Sequence, residues 1–399
     1  MSFKRIAYAL LGLVMTGAIA SAAIPPFTGP QDPSQIFFYL NTLIAEINAA
    51  FASNSAADFA FPRNLIENGQ MQVQQRGTGT RTCGTTTIPS TAYAADRWGC
   101  NVNVSSGAGT LQVITTGLPA QPVFNAGMLF YRTSGALAQP QCVMQEIATT
   151  RITPYQSQSV TLSFYAQGLA NMLAETTTLN AYLFTGTGSD QGLQTFTASP
   201  AITPAWTNIA SSLTTAFTLT SSWKQFTTTF LVPSTATEAA VALCWTPTTG
   251  GTAGVTDGFQ FTGMQLEYGS TASSFELRSY GDEFQSALRY YYRITDNTTS
   301  THVYGSGVNT TTTNSLFNIV LPVPMRVAPT ATVSATTAFG DTATAGAASA
   351  CTGMTVVASS ATVDAFQAQC SAGATVIAGG ATTLVGENTA AFFDISADY

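Results

Sequence analysis

The sequence predicts a mainly β protein built around an antiparallel sandwich. Three observations carry that expectation. Short runs rich in Thr, Val, Phe and Tyr alternate apolar with polar residues, Gly and Pro punctuate the breaks between them, and charge is scarce. Charged residues are 8% of the 399-residue chain and hydrophobic residues 45%, against about 25% charged in an ordinary soluble protein. A surface of short hydroxyl and amide side chains is soluble without many ions and loses little side-chain entropy on ordering. That suits a rigid exposed β structure.

The N-terminus departs from this pattern. Lys4 and Arg5 precede an apolar run, Ile6 to Ala23, that ends in small residues. It admits three readings: a processed secretory signal, a helix just long enough to cross a bilayer, or an apolar anchor buried in an assembly. A Pro-rich segment, IPPFTGPQDP, follows and predicts an extended linker. In the next stretch Ile36, Leu40, Leu43 and Ile47 recur at spacings of four and three. This predicts a helix whose wide apolar stripe either trimerises or packs on its own domain. Residues 1–51 are thus expected to be a helical anchor and oligomerisation segment, with 52–62 a linker.

From Arg63 the period becomes two. Expected strands are Asn64–Gln74, Ala95–Val104, Thr110–Thr115, Cys142–Ala148, Ser159–Gln167, Leu179–Phe184, Ser222–Val232, Ala239–Trp245 and Gly258–Glu267. Their number and spacing, with no long helix between them, argue a sandwich over residues 63–280. The polar-aromatic stretch Asp282–Arg293 places Phe284, Leu288, Tyr291 and Tyr292 near helical spacing, predicting a connecting helix at 281–292. A second, nearly charge-free β domain is expected at 293–399. Its strands are Leu316–Val320, Thr330–Ala335, Gly353–Val357, Val363–Gln369 and Ala390–Ile395.

Chemistry-bearing residues are few. The formal net charge is -7 and no Lys/Arg cluster exists beyond Lys4 and Arg5, which excludes nucleic acid as a partner. His302 is the single histidine and no nucleophile motif lies near it, so a hydrolytic triad is not supported. No phosphate cradle or Cys-x-x-Cys zinc pattern is present. Among the six cysteines, Cys83 with Cys100 and Cys351 with Cys370 are spaced for local bridges, whereas Cys142 and Cys244 sit in apolar runs and read as core residues. Paired carboxylates that would hydrolyse a glycan are sparse; Glu146, Glu175, Asp190 and Glu238 are among them. The chain is therefore expected not to be an enzyme.

Aromatic residues are more informative. Trp98 and Trp245 border apolar runs and are expected in the core, whereas Trp206, in SPAITPAWTN, is the best exposed platform for stacking on a sugar ring. Trp223 begins a strand and is a second candidate. Tyr290, beside Tyr291 and Tyr292, is either a glycan contact or part of a subunit or domain junction.

Three stretches in order, NLIENGQMQVQQRG (Asn64–Gly77), YAADRW (Tyr93–Trp98) and FTGMQLEYGSTASSFELRSYGDEFQSALRYYY (Phe261–Tyr292), resemble the β-sandwich module of phage tail-fibre and appendage proteins. That module is similar to carbohydrate-binding jelly rolls. LPVPMRVAPT (Leu321–Thr330) resembles the start of the C-terminal β domain that often follows it. The resemblance implies a jelly roll in which Asn64–Val73 lies beside Phe259–Gly269, Leu65 and Met71 point inward near Met264 and Leu266, and Asp96-Arg97 forms a polar corner next to Trp98. Such jelly rolls often hold a structural calcium, for which Glu67, Asp257 and Glu267 are the oxygen donors to consider. No other cofactor is expected.

The function implied is that of a virion appendage, a homotrimeric fibre protein bound to other virion proteins through its N-terminus and to host surface glycan without catalysis. A purely structural capsid or neck decoration protein is the alternative within the particle. A secreted bacterial glycan-binding protein is the alternative outside it.

Overall fold

In this computed structural model the described residues are 63–399 without 85–91, 103–108, 121, 123, 134–138, 193–195, 199–201, 249–250, 296–301, 345–346, 358–359, 389 and 399. They belong to one compact unit, Phe61–Tyr399. The expected anchor at 1–51, with Ile36, Leu40, Leu43 and Ile47, and the linker at 52–62 lie outside the described residues.

The first part of the chain runs through β1 (Arg81–Thr82), β2 (Tyr93–Ala95), β3 (Trp98–Val102), β4 (Gly109–Ile114), β5 (Gly127–Arg132), β6 (Gln141–Ile147) and β7 (Ser159–Gly168). It continues through β8 (Thr178–Gly186), β9 (Phe196–Ala198), β10 (Ile202–Pro204), β11 (Ala210–Thr218), β12 (Lys224–Leu231), β13 (Glu238–Trp245) and β14 (Gly258–Tyr268). Short helices α1 (Thr149–Ile152) and α2 (Ala170–Glu175) sit in two connections, and α3 (Tyr280–Leu288) leads out. Two antiparallel sheets result, in the orders β1-β4-β5-β14-β7-β12 and β11-β8-β13-β6-β3-β2, with β9 and β10 a separate hairpin. This is the jelly-roll sandwich.

Alternation puts Val160, Leu162, Phe164 and Ala166 of β7 on one buried face. In β14 the inward parity changes, from Phe259 and Phe261 to Met264 and Leu266, all fully buried. The cause is a bulge between Thr262 and Gln265. Gly263 sits there at φ 62°, and a Cβ on it would meet the Phe124 ring at 2.6 Å. Trp98 packs edge-on against Phe261 in this core, and Trp245 is buried as expected.

Asn64–Gln74 is not the regular strand that its alternation suggested. It does lie beside β14, through Leu65 N to Leu266 O (2.8 Å) and Met264 N to Gly69 O (2.8 Å). Positive φ at Asn68 and Met71 breaks the extended path, and the Asn64 and Asn68 side chains replace ladder bonds.

The second part comprises β15 (Tyr291–Thr295), β16 (Val303–Asn309), β17 (Asn314–Val320), β18 (Thr330–Val333), β19 (Phe339–Thr344), β20 (Ala347–Val357), β21 (Ala365–Ala372), β22 (Ala381–Gly386) and β23 (Phe392–Ser396). Six of these close a barrel in the order β16-β17-β21-β20-β19-β22, and β15-β23-β18 form a small sheet beside it. Phe393 of the small sheet joins the barrel core against Tyr304, Phe339 and Phe366. Burying such a ring contributes roughly 1.5–3 kcal/mol. The connecting helix ends at Leu288, short of its expected end, because Tyr291–Thr295 pairs with β23. Local helical spacing loses to cross-strand pairing there.

Three disulfides are present: Cys83–Cys100, Cys351–Cys370 and Cys142–Cys244. The last corrects the reading of Cys142 and Cys244 as core thiols. Register places them opposite each other on β6 and β13, 102 residues apart in sequence. Because it closes the longest loop, Cys142→Ala with Cys244→Ala should lower the unfolding free energy by about 2–4 kcal/mol. That is roughly 1.5 kcal/mol more than removing Cys83–Cys100. Urea unfolding measures both, and an equal or smaller loss at Cys142–Cys244 contradicts this assignment of its role.

Candidate functional site

The small sheet is two-faced by simple alternation. Tyr292, Ile294, Ala331, Val333, Phe393 and Ile395 turn into the barrel core. The other face is polar. Register arranges it as two rows across β15, β23 and β18: Tyr291–Ser396–Thr330 and Arg293–Asp394–Thr332. The sandwich faces this grid with Arg76, in the loop before β1, and Arg81 of β1. Together these groups line a cleft of about 250 Å³ between the two domains.

Most of the charge in the cleft is already spoken for. Arg293 forks onto Asp394 with both contacts at 2.6 Å, and the Tyr291 hydroxyl donates to the same carboxylate. Those bonds hold Arg293 above its ordinary value; burial, then Asp394, push the Tyr291 phenol up. The Arg76 guanidinium lies 3.5 Å from the Tyr291 ring centroid and 4.6 Å from that of Tyr93. It also pairs with Asp96 (3.4 Å) and with Asp398.

Asp398 extends this into a chain of alternating charge. It lies 3.5 Å from Arg97, whose Nε is 3.0 Å from Glu67, and Glu67 is 2.6 Å from Arg151. Arg97 adopts φ 73° in the turn between β2 and β3, a conformation an L residue holds only when its surroundings demand it. The Trp98 indole donates to Asn68 O at 2.9 Å, locking the same corner. Burial pushes the Asp96 carboxyl up to about 6, against the pull of Arg76 and the Gln75 hydrogen bonds.

The residues singled out from the sequence fall elsewhere. Trp206 is not an exposed platform: it is 5% exposed. It packs over Gly186 in an apolar cluster with Tyr93, Met144, Tyr182 and Phe184, and its indole donates to Gly192 O. The outer face of the second sheet is itself apolar and draws the indole onto it. Trp223 is half-buried, its indole donating to Gly117 O, and does not line the cleft. Tyr290 is buried at the domain junction under the Arg97 guanidinium, 3.7 Å away, and burial pushes its phenol up to about 12. His302 is exposed, edge-on to Tyr304.

The three calcium candidates do not converge. Glu67 pairs with Arg97 and Arg151, Asp257 with Arg132 at 2.6 Å, and Glu267 accepts from Ser273 N and Oγ. Each carboxylate is engaged by its own donors, although Asp257 Oδ1 is buried without a hydrogen-bond partner. Among the described residues no group of three or more His, Cys, Asp or Glu is placed to hold a metal ion.

Two of the acids considered for hydrolysis do come together. Glu146 of β6 and Glu238 of β13 share the outer face of the second sheet as diagonal neighbours, since Glu146 stands opposite Ala240. Both are buried, and burial raises both carboxyls, with Arg97 pulling Glu146 the other way. One Glu238 oxygen is buried without a hydrogen-bond partner.

Sequence reasoning missed Arg76, Arg81, Thr330, Thr332, Asp394 and Ser396. A signal existed: in a chain with 13 Lys and Arg, two arginines fall within QRGTGTR. The alternations YYRIT and FFDIS likewise mark one polar face.

No family profile matches the chain, and no curated protein matches it. Among solved structures, it is similar to the enzymatically active domain of bacteriophage CBA120 tailspike protein 4, with 12% identity and a TM-score of 0.32. That match covers 52% of this chain and 21% of the tailspike chain, so this chain spans about a fifth of that protein. It is also similar to a xylan-binding domain from Paenibacillus barcinonensis (10% identity, TM-score 0.25, 50% of this chain and 99% of that one). A third is a Stig cyclase from Fischerella (12% identity, TM-score 0.30, 52% and 97%).

The raised Asp96 carboxyl has a stability consequence of definite sign. Its contribution is fully present below the ordinary value of 3.8 and is lost as the pH rises through about 6. The thermal midpoint of the chain should therefore rise as pH falls from 7 to 5, and Asp96→Asn should flatten that rise. The difference reaches at most roughly 3 kcal/mol. Calorimetry across the window tests it; a variant whose slope matches the parent removes Asp96 from the account.

Proposed function

We propose that this chain is a non-catalytic attachment protein, displayed on the outside of a phage particle, that binds surface glycan through the cleft between its sandwich and its second β domain. The observation that carries the reading is the cleft itself: guanidinium, phenol and hydroxyl groups from four strands and one loop converge on a small open volume. Sugars are recognised by such polar constellations. The one carboxylate lining it, Asp394, is saturated by Arg293 and Tyr291, which leaves it a poor proton shuttle and favours binding over turnover.

The placement on a phage particle rests on the ordered trio of motifs that resembles appendage proteins. The low charge and three disulfides suit exposure outside a reducing compartment. The homotrimer in this reading rests on the fibre resemblance and on the apolar stripe at Ile36, Leu40, Leu43 and Ile47, and multivalency would convert weak single-site contacts into firm attachment.

One observation favours a second reading, that of a depolymerase. Glu146 and Glu238 are paired, raised carboxylates on one sheet face, as general acid–base chemistry on a glycosidic bond requires. They are only 5% and 2% exposed, and that burial argues against substrate access.

The full-length chain should bind an immobilised bacterial surface polysaccharide and release no reducing ends from it. Binding with reducing-end release that Glu238→Gln abolishes would move the assignment to the depolymerase. Absence of binding to every polysaccharide of a broad panel would leave only a packing role. Light scattering of the same sample should return a trimer mass.

A further inference from the structure

Among the described residues, one cation of the cleft has no acidic partner. Arg76 faces Asp96 and Asp398, and Arg293 is forked onto Asp394. Among the described residues, Arg81 meets no carboxylate. It is nevertheless held in place. Its Nη2 donates to the Arg76 and Gly77 carbonyls, which the turn at Gly77 (φ 95°) presents to it. Its Nε is buried without a partner, and Nη1 makes no hydrogen bond. Nη1 of a tethered guanidinium is thus left without a hydrogen bond on a residue that lines the cleft.

We propose that this cleft takes a saccharide residue carrying a single carboxylate, a uronic or a sialic acid, with the carboxylate on Arg81 and the sugar hydroxyls on Thr330, Thr332 and Ser396. The proposal rests on the glycan-binding reading and names its ligand class. Charge balance sets the class. One uncompensated cation matches one anionic group, whereas a densely sulfated chain would carry excess charge past the engaged carboxylate of Asp394. Aromatic stacking is not the mode here, because the Tyr291 ring is buried with Arg76 over one face. A neutral sugar would therefore find neither a platform nor a use for the open charge. Size agrees: about 250 Å³ lies below the range of roughly 300–1,000 Å³ typical of sites for larger ligands, and suits one sugar residue at a chain end. Thr330 and Thr332 are exposed on the edge strand β18, where a ring can approach them from solvent.

Calorimetric titration of the full-length chain tests this with methyl glucuronide, methyl sialoside, methyl glucuronide methyl ester, methyl glucoside, acetate and sulfate. The acidic glycosides should bind. Esterification, which removes the charge and adds one methyl group, and Arg81→Ala should each weaken binding by about 10- to 100-fold, as loss of a charge-assisted hydrogen bond does. Arg81→Lys should recover part of the loss, which separates the charge from any effect on folding; unfolding curves of both variants accompany the titrations. Thr332→Ala should weaken the glycosides but not acetate. Equal binding of the neutral glucoside and the glucuronide, unaffected by Arg81→Ala, overturns the acidic ligand while the glycan reading stands. Acetate or sulfate binding as tightly as the glycosides reduces the cleft to a general anion site and overturns it too. No binding by any of these probes, when a whole polysaccharide still binds, places the glycan site elsewhere.

Discussion

The structure depends on one chain of buried charge, Arg151–Glu67–Arg97–Asp398–Arg76–Asp96. It threads from α1 through the entry segment and the β2–β3 turn to the C-terminus. Every member but the first is almost without solvent, so each carries a desolvation cost that only correct partners offset. Removing one would leave its neighbours buried and uncompensated. In a chain so poor in charge, concentrating six ions along one path makes the relation between sandwich and second domain specific. Apolar contact alone would be more forgiving.

That path also explains the cleft. Arg76 is drawn onto Tyr291 and held there by Asp398 and Asp96, so the loop that follows must turn at Gly77. The turn brings Arg81 to the rim with its Nη2 on the loop carbonyls. The ion pairs at the junction engage Asp96, Asp398 and Asp394 with Arg76, Arg97 and Arg293. Among the described residues none of these acids reaches Arg81, which lines the same recess. A second buried cluster, Arg132 with Asp257 and Glu175, secures loops of the sandwich.

Much of the sandwich was legible in advance. Ser159–Gln167, Ala239–Trp245 and Gly258–Glu267 match β7, β13 and β14 within a residue or so, because two-sided burial demands an unmistakable apolar pattern. Less was legible where pattern and pairing part company. β11, with the sequence ASSLTTAFT, is too polar to stand out, yet it pairs along β8. Trp206 reads as a loop residue but covers an apolar sheet face that only the assembled strands create.

By itself the sequence determined the class: alternation, turn residues and the shortage of charge leave room for stacked antiparallel sheets and little else. It also marked the Asp96–Arg97–Trp98 corner and the two short-range cystine bridges, since those are local or nearly so. Tertiary structure alone decided that Cys142 meets Cys244, that Asp398 reaches Arg76 across more than three hundred positions, and that Arg81 meets no carboxylate among the described residues. These outcomes depend on strand register and on which charges reach each other first, and neither quantity is written in any short stretch of the chain.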